Sequence, residues 1–339
     1  MSENKSEGQL SSPGSDDILD LAYQSLKHWG LSGSLSLIKE RENSVYAFTG
    51  DGQRFALRVH RLGYHSDQAL ASEHLWVREL AKYGLRVPKA IPTLQGTDFA
   101  IVATDKVTDA RQVDLMAWIV GEQIGSIESG IGAGDVGRIY QTMGQVAAQV
   151  HNQASAWNVP ADFERHHWDV DGLLGEQPFW GRFWELAALT DAQRELIARA
   201  RTRLQTELSD YGKTSGNYSM VHADFAPENF LIHDGDVRVI DFDDAGFGWH
   251  LFELATALYF IQRESYFAEA KAALIAGYRE AREISDNDLA MLPAFLAARS
   301  LTYLGWVHDR PDSEPAKELT PILVDMCCET LNAYLSQTQ

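Results

Sequence analysis

Cysteine is scarce in this 339-residue chain, and its two copies, Cys327 and Cys328, are adjacent in sequence. Neighbouring side chains on a predicted helix are poorly placed to bridge each other, so a disulfide framework is excluded. No apolar run approaches the roughly 18 residues of a membrane span. The first residues, 1–19, are polar and lack the apolar centre of a signal peptide. We therefore expect a disordered N-terminal tail over 1–19 and a cytoplasmic protein.

Positive charge is also in short supply. Lysine and arginine total 29 against 48 acidic residues, which gives a net charge of −19. Nucleic acids and anionic membranes bind basic surfaces, so we expect neither as a partner. The same charge mildly favours a cationic small molecule by steering. The sequence carries no signal of oligomeric state.

One segment, residues 221–244, concentrates the polar residues that carry chemistry: VHADFAPENFLIHDGDVRVIDFDD. It has the pattern H-x-D-x-x-x-x-N, followed by an apolar strand that ends in D-x-D. Phosphoryl transfer needs a carboxylate to take the proton of the attacking hydroxyl, plus oxygen ligands for magnesium on the nucleotide phosphates. The five residues that suit these tasks are His222, Asp224, Asn229, Asp241 and Asp243. The alternative interpretation is a surface turn with scattered polar residues.

A β-hairpin separates the two halves of this segment. Asp234-Gly235 is a strong turn signal because both central residues of the favoured turn need positive φ. Apolar runs at 230–232 and 237–242 flank it and predict two strands. The hairpin would bring Asn229 and Asp241 within reach of one cation. Asp243 would point to the same side as Asp241, since side chains alternate along a strand.

The segment resembles the aminoglycoside phosphotransferase/choline kinase superfamily, which includes type II homoserine kinases and bacterial stress-response kinases. Residues 240–258, IDFDDAGFGWHLFELATAL, are similar to the run that follows the metal-binding aspartate of that family. The resemblance implies an α+β, protein-kinase-like bilobal fold and an enzyme that uses ATP and Mg²⁺. It implies that Asp224 is the catalytic base, that Asn229 and Asp241 hold magnesium, and that His222 supports the loop. Asp243 would assist with metal or substrate.

Protein kinases proper differ from this chain at several signature positions. The chain reads HAD where they have HRD and DFD where they have DFG, and it lacks the A-P-E and G-x-G-x-x-G signatures. The arginine of HRD is the residue that would pair with a phosphorylated activation loop. The small-molecule branch of the superfamily accounts for these differences better.

The first third of the chain predicts a small β-rich lobe. Strands are expected at 34–39, 45–48, 54–60, 99–103 and 112–118, with a helix at 66–83. Arg58 lies where kinases carry a phosphate-pairing lysine, and Glu73 could pair with it. Asn43 and Ser44, in the turn 41–44, are candidates for contacting the nucleotide. Backbone groups from Ala117 to Ile119 would hold the adenine.

The rest of the chain predicts a helical lobe, so we divide the chain into residues 20–115 and 116–339. Apolar periodicity indicates helices at 135–152, 191–211, 251–266, 268–282, 285–308 and 321–335. Specificity would lie in the loops 158–184 and 244–253. Aromatic rings can bind a cation and carboxylates can add charge, which makes four residues substrate candidates: Asp244, Trp249, Glu253 and Trp306. Each of them could equally be an ordinary core residue.

The sequence therefore predicts a kinase that moves the γ-phosphate of ATP to a hydroxyl of a small, amine-bearing acceptor. An aminoglycoside, choline or ethanolamine, and a homoserine-like compound all remain open. A protein Ser/Thr kinase of the stress-response type would use the same residues. A non-catalytic nucleotide-binding regulator and a metal-dependent hydrolase are further alternatives, although one His-x-Asp supplies few ligands for zinc.

Overall fold

Two compact units make up the protein. The computed structural model describes residues 14–40, 43–126, 130–131 and 136–337. The first unit contains the described residues up to His74 together with Pro88–Trp118, and the second contains Leu75–Val87 and the residues from Ile119 onward. The main division thus falls after Trp118, where the sequence placed it after residue 115.

The first unit is a five-stranded antiparallel sheet with helices. The sheet order is β1-β2-β3-β5-β4. Its elements in chain order are α1 (Ser15–Ser25), a 3-10 turn (Leu26–Trp29), β1 (Ser34–Glu40), β2 (Ser44–Gly50), β3 (Gln53–Val59), the start of α2 (Asp67–Tyr83), β4 (Phe99–Val102) and β5 (Arg111–Ala117). The strands and the helix that the sequence predicted here are all present, with ends shifted by one or two residues.

Helix α1 corrects the predicted disordered tail. The helix begins at Ser15, so residues 15–19 are ordered, while residues 1–13 lie outside the described ranges. Ile18, Leu21 and Ala22 recur at helical spacing and are buried in the core of the first unit. Because polar residues surround these three, their helical periodicity was not recognised in the sequence.

The second unit is mainly helical, and its described residues form three small sheets. Their strand orders are β10-β13-β9, β12-β11-β6 and β7-β8. The elements are β6 (Glu122–Gln123), β7 (Gly125–Ser126), β8 (Gly130–Ile131), α3 (Val136–Ala156), β9 (His167–Trp168), α4 (Val170–Leu174), α5 (Asp191–Tyr211), β10 (Tyr218–Val221), β11 (Phe230–His233), β12 (Asp236–Val239), β13 (Gly246–Trp249), α6 (His250–Tyr259), α7 (Phe267–Ala281), α8 (Asp286–Leu289), α9 (Leu292–His308) and α10 (Glu314–Ser336). The two units together confirm the α+β expectation.

Four predicted helices have different ends, and the one expected at 135–152 extends to Ala156. The helix expected at 251–266 ends at Tyr259. The one expected at 285–308 is two helices, α8 and α9, and Pro293 occupies the first turn of α9, where a missing N–H costs nothing. Helix α10 begins at Glu314, seven residues before Pro321, which lies inside it. Within the described ranges, no helix has the length and apolar character needed to cross a membrane.

Helices α3 and α7 approach each other closely at two glycines. A Cβ on Gly144 would lie 2.0 Å from the Leu274 carbonyl oxygen, and one on Gly277 would lie 1.9 Å from that of Gln141. Both distances are well inside van der Waals contact, so only glycine fits at either position. This contact places His151 of α3 beside Tyr278 of α7, whose hydroxyl lies 2.8 Å from the His151 Nδ1.

Candidate active site

Strand β10 ends at Val221 and is followed by a loop that begins with His222, Ala223 and Asp224. Glu253 of α6 holds this loop in place. The Glu253 carboxylate accepts hydrogen bonds from the main-chain N–H groups of His222 at 2.8 Å and Ala223 at 2.7 Å. Ala223 has φ +64°, in the left-handed region, which costs an L-residue roughly 1–2 kcal/mol. Glu253 is fully buried, and burial raises the pKa of its carboxyl. A buried acceptor on α6 therefore stabilises a strained backbone just before Asp224.

Asp224 is the partly exposed carboxylate at the centre of this loop. Asn229 donates from its Nδ2 to the Asp224 Oδ2 at 2.7 Å and to the Asp224 carbonyl oxygen at 2.8 Å. Arg299 of α9 donates from its Nη2 to the other carboxylate oxygen, Oδ1, at 3.4 Å. The side chain remains 23% exposed, so a ligand could reach it. Asp224 thus has the position that a general base requires: held on both oxygens and open to solvent.

His222 connects this loop to the strand that follows the hairpin. Its Nδ1 accepts the Asp224 main-chain N–H at 3.3 Å, which leaves the proton on Nε2. The Nε2 lies 2.9 Å from the Ile240 carbonyl oxygen and therefore donates to it. The imidazole is fully buried. These contacts suit the supporting role that the sequence predicted for His222.

The hairpin itself is confirmed, and it brings the two predicted metal ligands together. Phe230 pairs with Val239, and the Ile240 N–H donates to the Asn229 carbonyl oxygen at 3.0 Å. Asp234 and Gly235 in the turn have φ +52° and +81°, as the favoured hairpin turn requires. Asp241, directly after Ile240, therefore lies close to Asn229.

The donor set at this point fits a hard divalent cation. Asn229 uses Nδ2 for both of its hydrogen bonds to Asp224, so its amide Oδ1 is left as an oxygen ligand. Asp241 adds a partly exposed carboxylate from a backbone with φ +68°, a conformation that non-glycine residues seldom adopt outside special sites. Mg²⁺ and Ca²⁺ both prefer oxygen ligands of this kind.

The residues after Asp241 are more enclosed. Asp243 is 3% exposed, and its carbonyl oxygen accepts from the Arg165 guanidinium. Asp244 is 9% exposed, its carbonyl oxygen accepts from the Trp168 Nε1 at 2.9 Å, and its Oδ1 accepts from the Trp180 Nε1 at 3.2 Å. The metal role predicted for Asp243 and the substrate role predicted for Asp244 stay predictions.

In the first unit, Arg58 and Glu73 form the ion pair that the sequence predicted, at 2.8 Å between Nη2 and Oε1. The structure adds Asp114 of β5, whose Oδ2 accepts from the same Nη2 at 2.7 Å and lies 3.0 Å from the His60 Nε2. Burial alone would raise the pKa of the Asp114 carboxyl, but Arg58 and His60 hold it well below its usual value. Asp114 lies directly opposite Arg58 in the β3–β5 ladder. Whether Arg58 and Glu73 serve the nucleotide stays a prediction.

The other predicted nucleotide contacts have local roles in the structure. The Asn43 Oδ1 accepts the Arg61 main-chain N–H at 3.0 Å, and Ser44 begins β2. The neighbouring residues 41 and 42 lie outside the described ranges. The Ala117 N–H donates to the Lys89 carbonyl oxygen at 2.8 Å, and Ile119 begins the main part of the second unit. The adenine-binding role of Ala117 and Ile119 is untested by these contacts.

Two predicted substrate residues are wrong. Trp249 is 1% exposed and donates from its Nε1 to the Gly212 carbonyl oxygen at 2.7 Å, so it is a core residue. Glu253 is fully buried, and its carboxylate accepts from the main-chain N–H groups of His222 and Ala223, as described above. Trp306 is partly buried, with the Arg310 guanidinium 4.9 Å from its ring centre, and its substrate role remains a prediction.

A family model described as the phosphotransferase enzyme family matches residues 34–285. The chain belongs to this family. The match contains Arg58, Asp224, Asn229 and Asp241, and it ends before Arg299. It confirms the resemblance to the aminoglycoside phosphotransferase/choline kinase superfamily, and it shows that the chain is a phosphotransferase of the kinase class.

Several relatives have named activities or known structures. The structure of the microcompartment-associated aminopropanol kinase has a TM-score of 0.83 with 30% identity, covering 94% of this chain and 98% of that one. Amicoumacin kinase of Bacillus subtilis is 23% identical over 303 residues, 86% of this chain and 85% of that protein. An amicoumacin kinase in complex with AMP-PNP and Ca²⁺ has a TM-score of 0.76 at 20% identity, covering 94% of this chain and 93% of that one, and shows the shared kinase-like fold.

Proposed function

We propose that this kinase transfers the γ-phosphate of ATP to the hydroxyl of a small amino alcohol, with Mg²⁺ as its metal. The observation that carries this proposal is the hydrogen bonding of Asp224. Asn229 donates to Asp224 while keeping its own amide oxygen for a metal, so base and metal ligand are fixed relative to each other. Phosphoryl transfer depends mainly on such positioning and on charge stabilisation.

The proposed acceptor class rests on two observations. The named relative that is 30% identical over nearly the full length of both chains is an aminopropanol kinase. The net charge of −19 favours the approach of an ammonium group. A small amino alcohol satisfies both, and it lies within the amine-bearing class that the sequence predicts. Larger amines such as aminoglycosides or amicoumacin are the alternatives that the experiment below separates.

Each residue has a distinct role in the proposed reaction. Asp224 orients the acceptor hydroxyl and takes its proton, a contribution of about 10²–10⁴-fold, while the hydroxyl oxygen bonds to the γ-phosphorus and the bond from that phosphorus to the oxygen of ADP breaks. Asn229 and Asp241 would hold the metal, which supplies charge neutralisation at the phosphates. Arg58 would position the phosphates with its forked donors. His222 and Glu253 keep the loop in shape, and neither meets the acceptor.

The test is ADP release from ATP·Mg²⁺ across a panel of acceptors. The panel contains aminopropanol, ethanolamine, choline, homoserine, an aminoglycoside, amicoumacin and a generic protein. We expect turnover with a small amino alcohol, and a loss of at least about 100-fold in Asp224→Asn while ATP binding survives. Transfer to the protein alone would favour a protein kinase. Tight ATP binding with no turnover on any acceptor would favour a nucleotide-binding regulator.

A further inference from the structure

Arg299 is a fully buried arginine, and the family match ends before it. It lies in α9, where it is the single charged residue between Leu292 and Val307. Its guanidinium is enclosed by aromatic rings, with centres 4.3 Å away at Tyr303, 4.6 Å at Trp180 and 5.3 Å at Phe252. A buried charge needs a partner, because removing an ion from water costs several kcal/mol. Pairing with an opposite charge recovers an energy of the same order.

The hydrogen bonding of Arg299 is incomplete. Its Nη2 donates to the Tyr303 hydroxyl at 2.9 Å and to the Asp224 Oδ1 at 3.4 Å. Its Nε and Nη1 are buried and have no hydrogen-bond partner among the residues that the structure describes. Cation–π attraction offsets part of that cost, at about 2 kcal/mol for a desolvated pair. An apolar side chain of the same length would avoid the cost altogether. The arginine is therefore a poor choice for stability at this position.

We propose that Arg299 is a positioning residue for Asp224 and fixes the plane of the catalytic carboxylate. The terminal torsion of an aspartate is broad and roughly two-fold, so one donor leaves the carboxylate free to rotate. Asn229 donates to Oδ2 and Arg299 to Oδ1, so the two donors together hold both oxygens. This inference rests on the proposed function, in which Asp224 takes the proton of the acceptor.

The surroundings of Arg299 are themselves anchored. A Cβ on Gly305 of α9 would lie 2.9 Å from the Trp180 carbonyl oxygen, so this glycine lets the Trp180 segment lie against the helix. Trp180 also donates to the Asp244 Oδ1 at 3.2 Å. The segment 158–184, which the sequence predicted to set acceptor specificity, thereby contacts Arg299 through Trp180, and Arg299 in turn donates to Asp224.

The decisive variant is Arg299→Met, which keeps the length and removes the charge. We expect kcat with the best acceptor to fall about 10- to 100-fold, because small displacements of a reacting group have effects of this size. The KM for ATP should stay within about twofold, since the lost interaction does not involve ground-state nucleotide binding. The thermal midpoint should equal or exceed that of the wild type, because the buried ion is replaced by an apolar chain.

The matched control is Arg203→Met on α5. That guanidinium also stacks on a ring, 4.7 Å from the centre of Tyr334, and pairs with Glu207 at 2.7 Å. Its replacement should leave kcat unchanged. Tyr303→Phe provides a second test if the methionine variant does not fold. It keeps the ring and removes one of the two acceptors of the Arg299 Nη2, so a smaller fall in kcat is expected.

Two results would overturn the proposal. One is a folded Arg299→Met enzyme with kcat within about twofold of the wild type. The other is a loss of activity that disappears after correction for the folded fraction. If the wild type phosphorylates no acceptor, the proposed function fails, and a double-mutant cycle in thermal midpoint still tests the contact. Non-additive midpoints for Arg299→Met and Asp224→Asn support the pairing, and additive midpoints overturn it.

Discussion

Replacing Glu253 with glutamine tests how strongly the loop that contains Asp224 depends on one buried carboxylate. Glutamine has the same shape but only one accepting oxygen, so one of the two main-chain N–H groups would face an NH₂ group. A hydrogen bond to a charged acceptor contributes about 1.5–3 kcal/mol to stability. Losing one also leaves the strained backbone of Ala223, which costs about 1–2 kcal/mol, with less to hold it in place. Burial raises the pKa of Glu253, so its ionised form carries a cost that glutamine avoids. We expect a net loss of about 2–3 kcal/mol in the free energy of unfolding.

The rate should fall as well, because Asp224 follows Ala223 directly. We expect kcat to drop about 10- to 100-fold in Glu253→Gln, with little change in the KM for ATP. Urea unfolding followed by tryptophan fluorescence gives the stability, and ADP release at saturating ATP gives the rate. The stability difference should grow as the pH falls through the raised pKa of Glu253, because the folded wild type then takes up a proton before the unfolded chain does, and glutamine cannot.

Glu280→Gln is the control for this experiment. Its exposed carboxylate also accepts two hydrogen bonds, from the side chains of Gln141 and Gln145. Replacing it should change neither the unfolding midpoint nor the rate. A Glu253→Gln enzyme as stable and as fast as the wild type would refute the reasoning, because the loop would then keep its shape without the second accepted bond.

Two further predictions concern buried charge. Burial, with help from Arg282, holds the pKa values of His151 and His250 well below 6.5, so the unfolded chain takes up protons that the folded protein cannot. The free energy of unfolding should therefore decrease as the pH falls below about 6.5, by up to about 1.4 kcal/mol per pH unit for each histidine. Urea titrations should show a smaller slope for His250→Asn. An unchanged slope would contradict the assignment. In the first unit, Asp114→Asn leaves a buried Arg58 with one carboxylate fewer, so we expect a loss of about 3–5 kcal/mol in stability and a higher KM for ATP. A variant with wild-type stability would show that Glu73 alone neutralises Arg58.

Local patterns in the sequence predicted the β11–β12 hairpin, and they missed the contacts that depend on long-range pairing. The turn at Asp234-Gly235 and the apolar strands beside it are local signals, so the approach of Asn229 to Asp241 followed from them. Asp114 was missed because its partner depends on β3 pairing with β5, two strands that are distant in sequence. Alternation in β5 could have shown only that Asp114 faces away from Val113 and Leu115.

The corrections at Trp249 and Glu253 and the failure to identify Arg299 have a common cause. Trp249, Glu253 and Arg299 all have polar atoms in the core, and a sequence does not reveal which buried group satisfies which. A lone arginine in the apolar sequence of α9 was a usable signal, because arginine is seldom fully buried without a partner. The sequence could not identify Asp224 as that partner, since 75 residues separate the two.

The contact of Trp180 with Arg299 has a consequence for how new substrates are acquired in this enzyme. Loops that recognise an acceptor are usually free to diverge, because mutations in them leave the catalytic centre undisturbed. Here the segment 158–184 contributes Trp180, one of the aromatic rings that enclose Arg299, and Arg299 donates to Asp224. The sequence predicts that this segment sets acceptor specificity, so we expect a segment transplanted from another family member to change the reaction rate together with the acceptor. Laboratory evolution toward a new acceptor should therefore select substitutions at residues 180, 299 and 303 together.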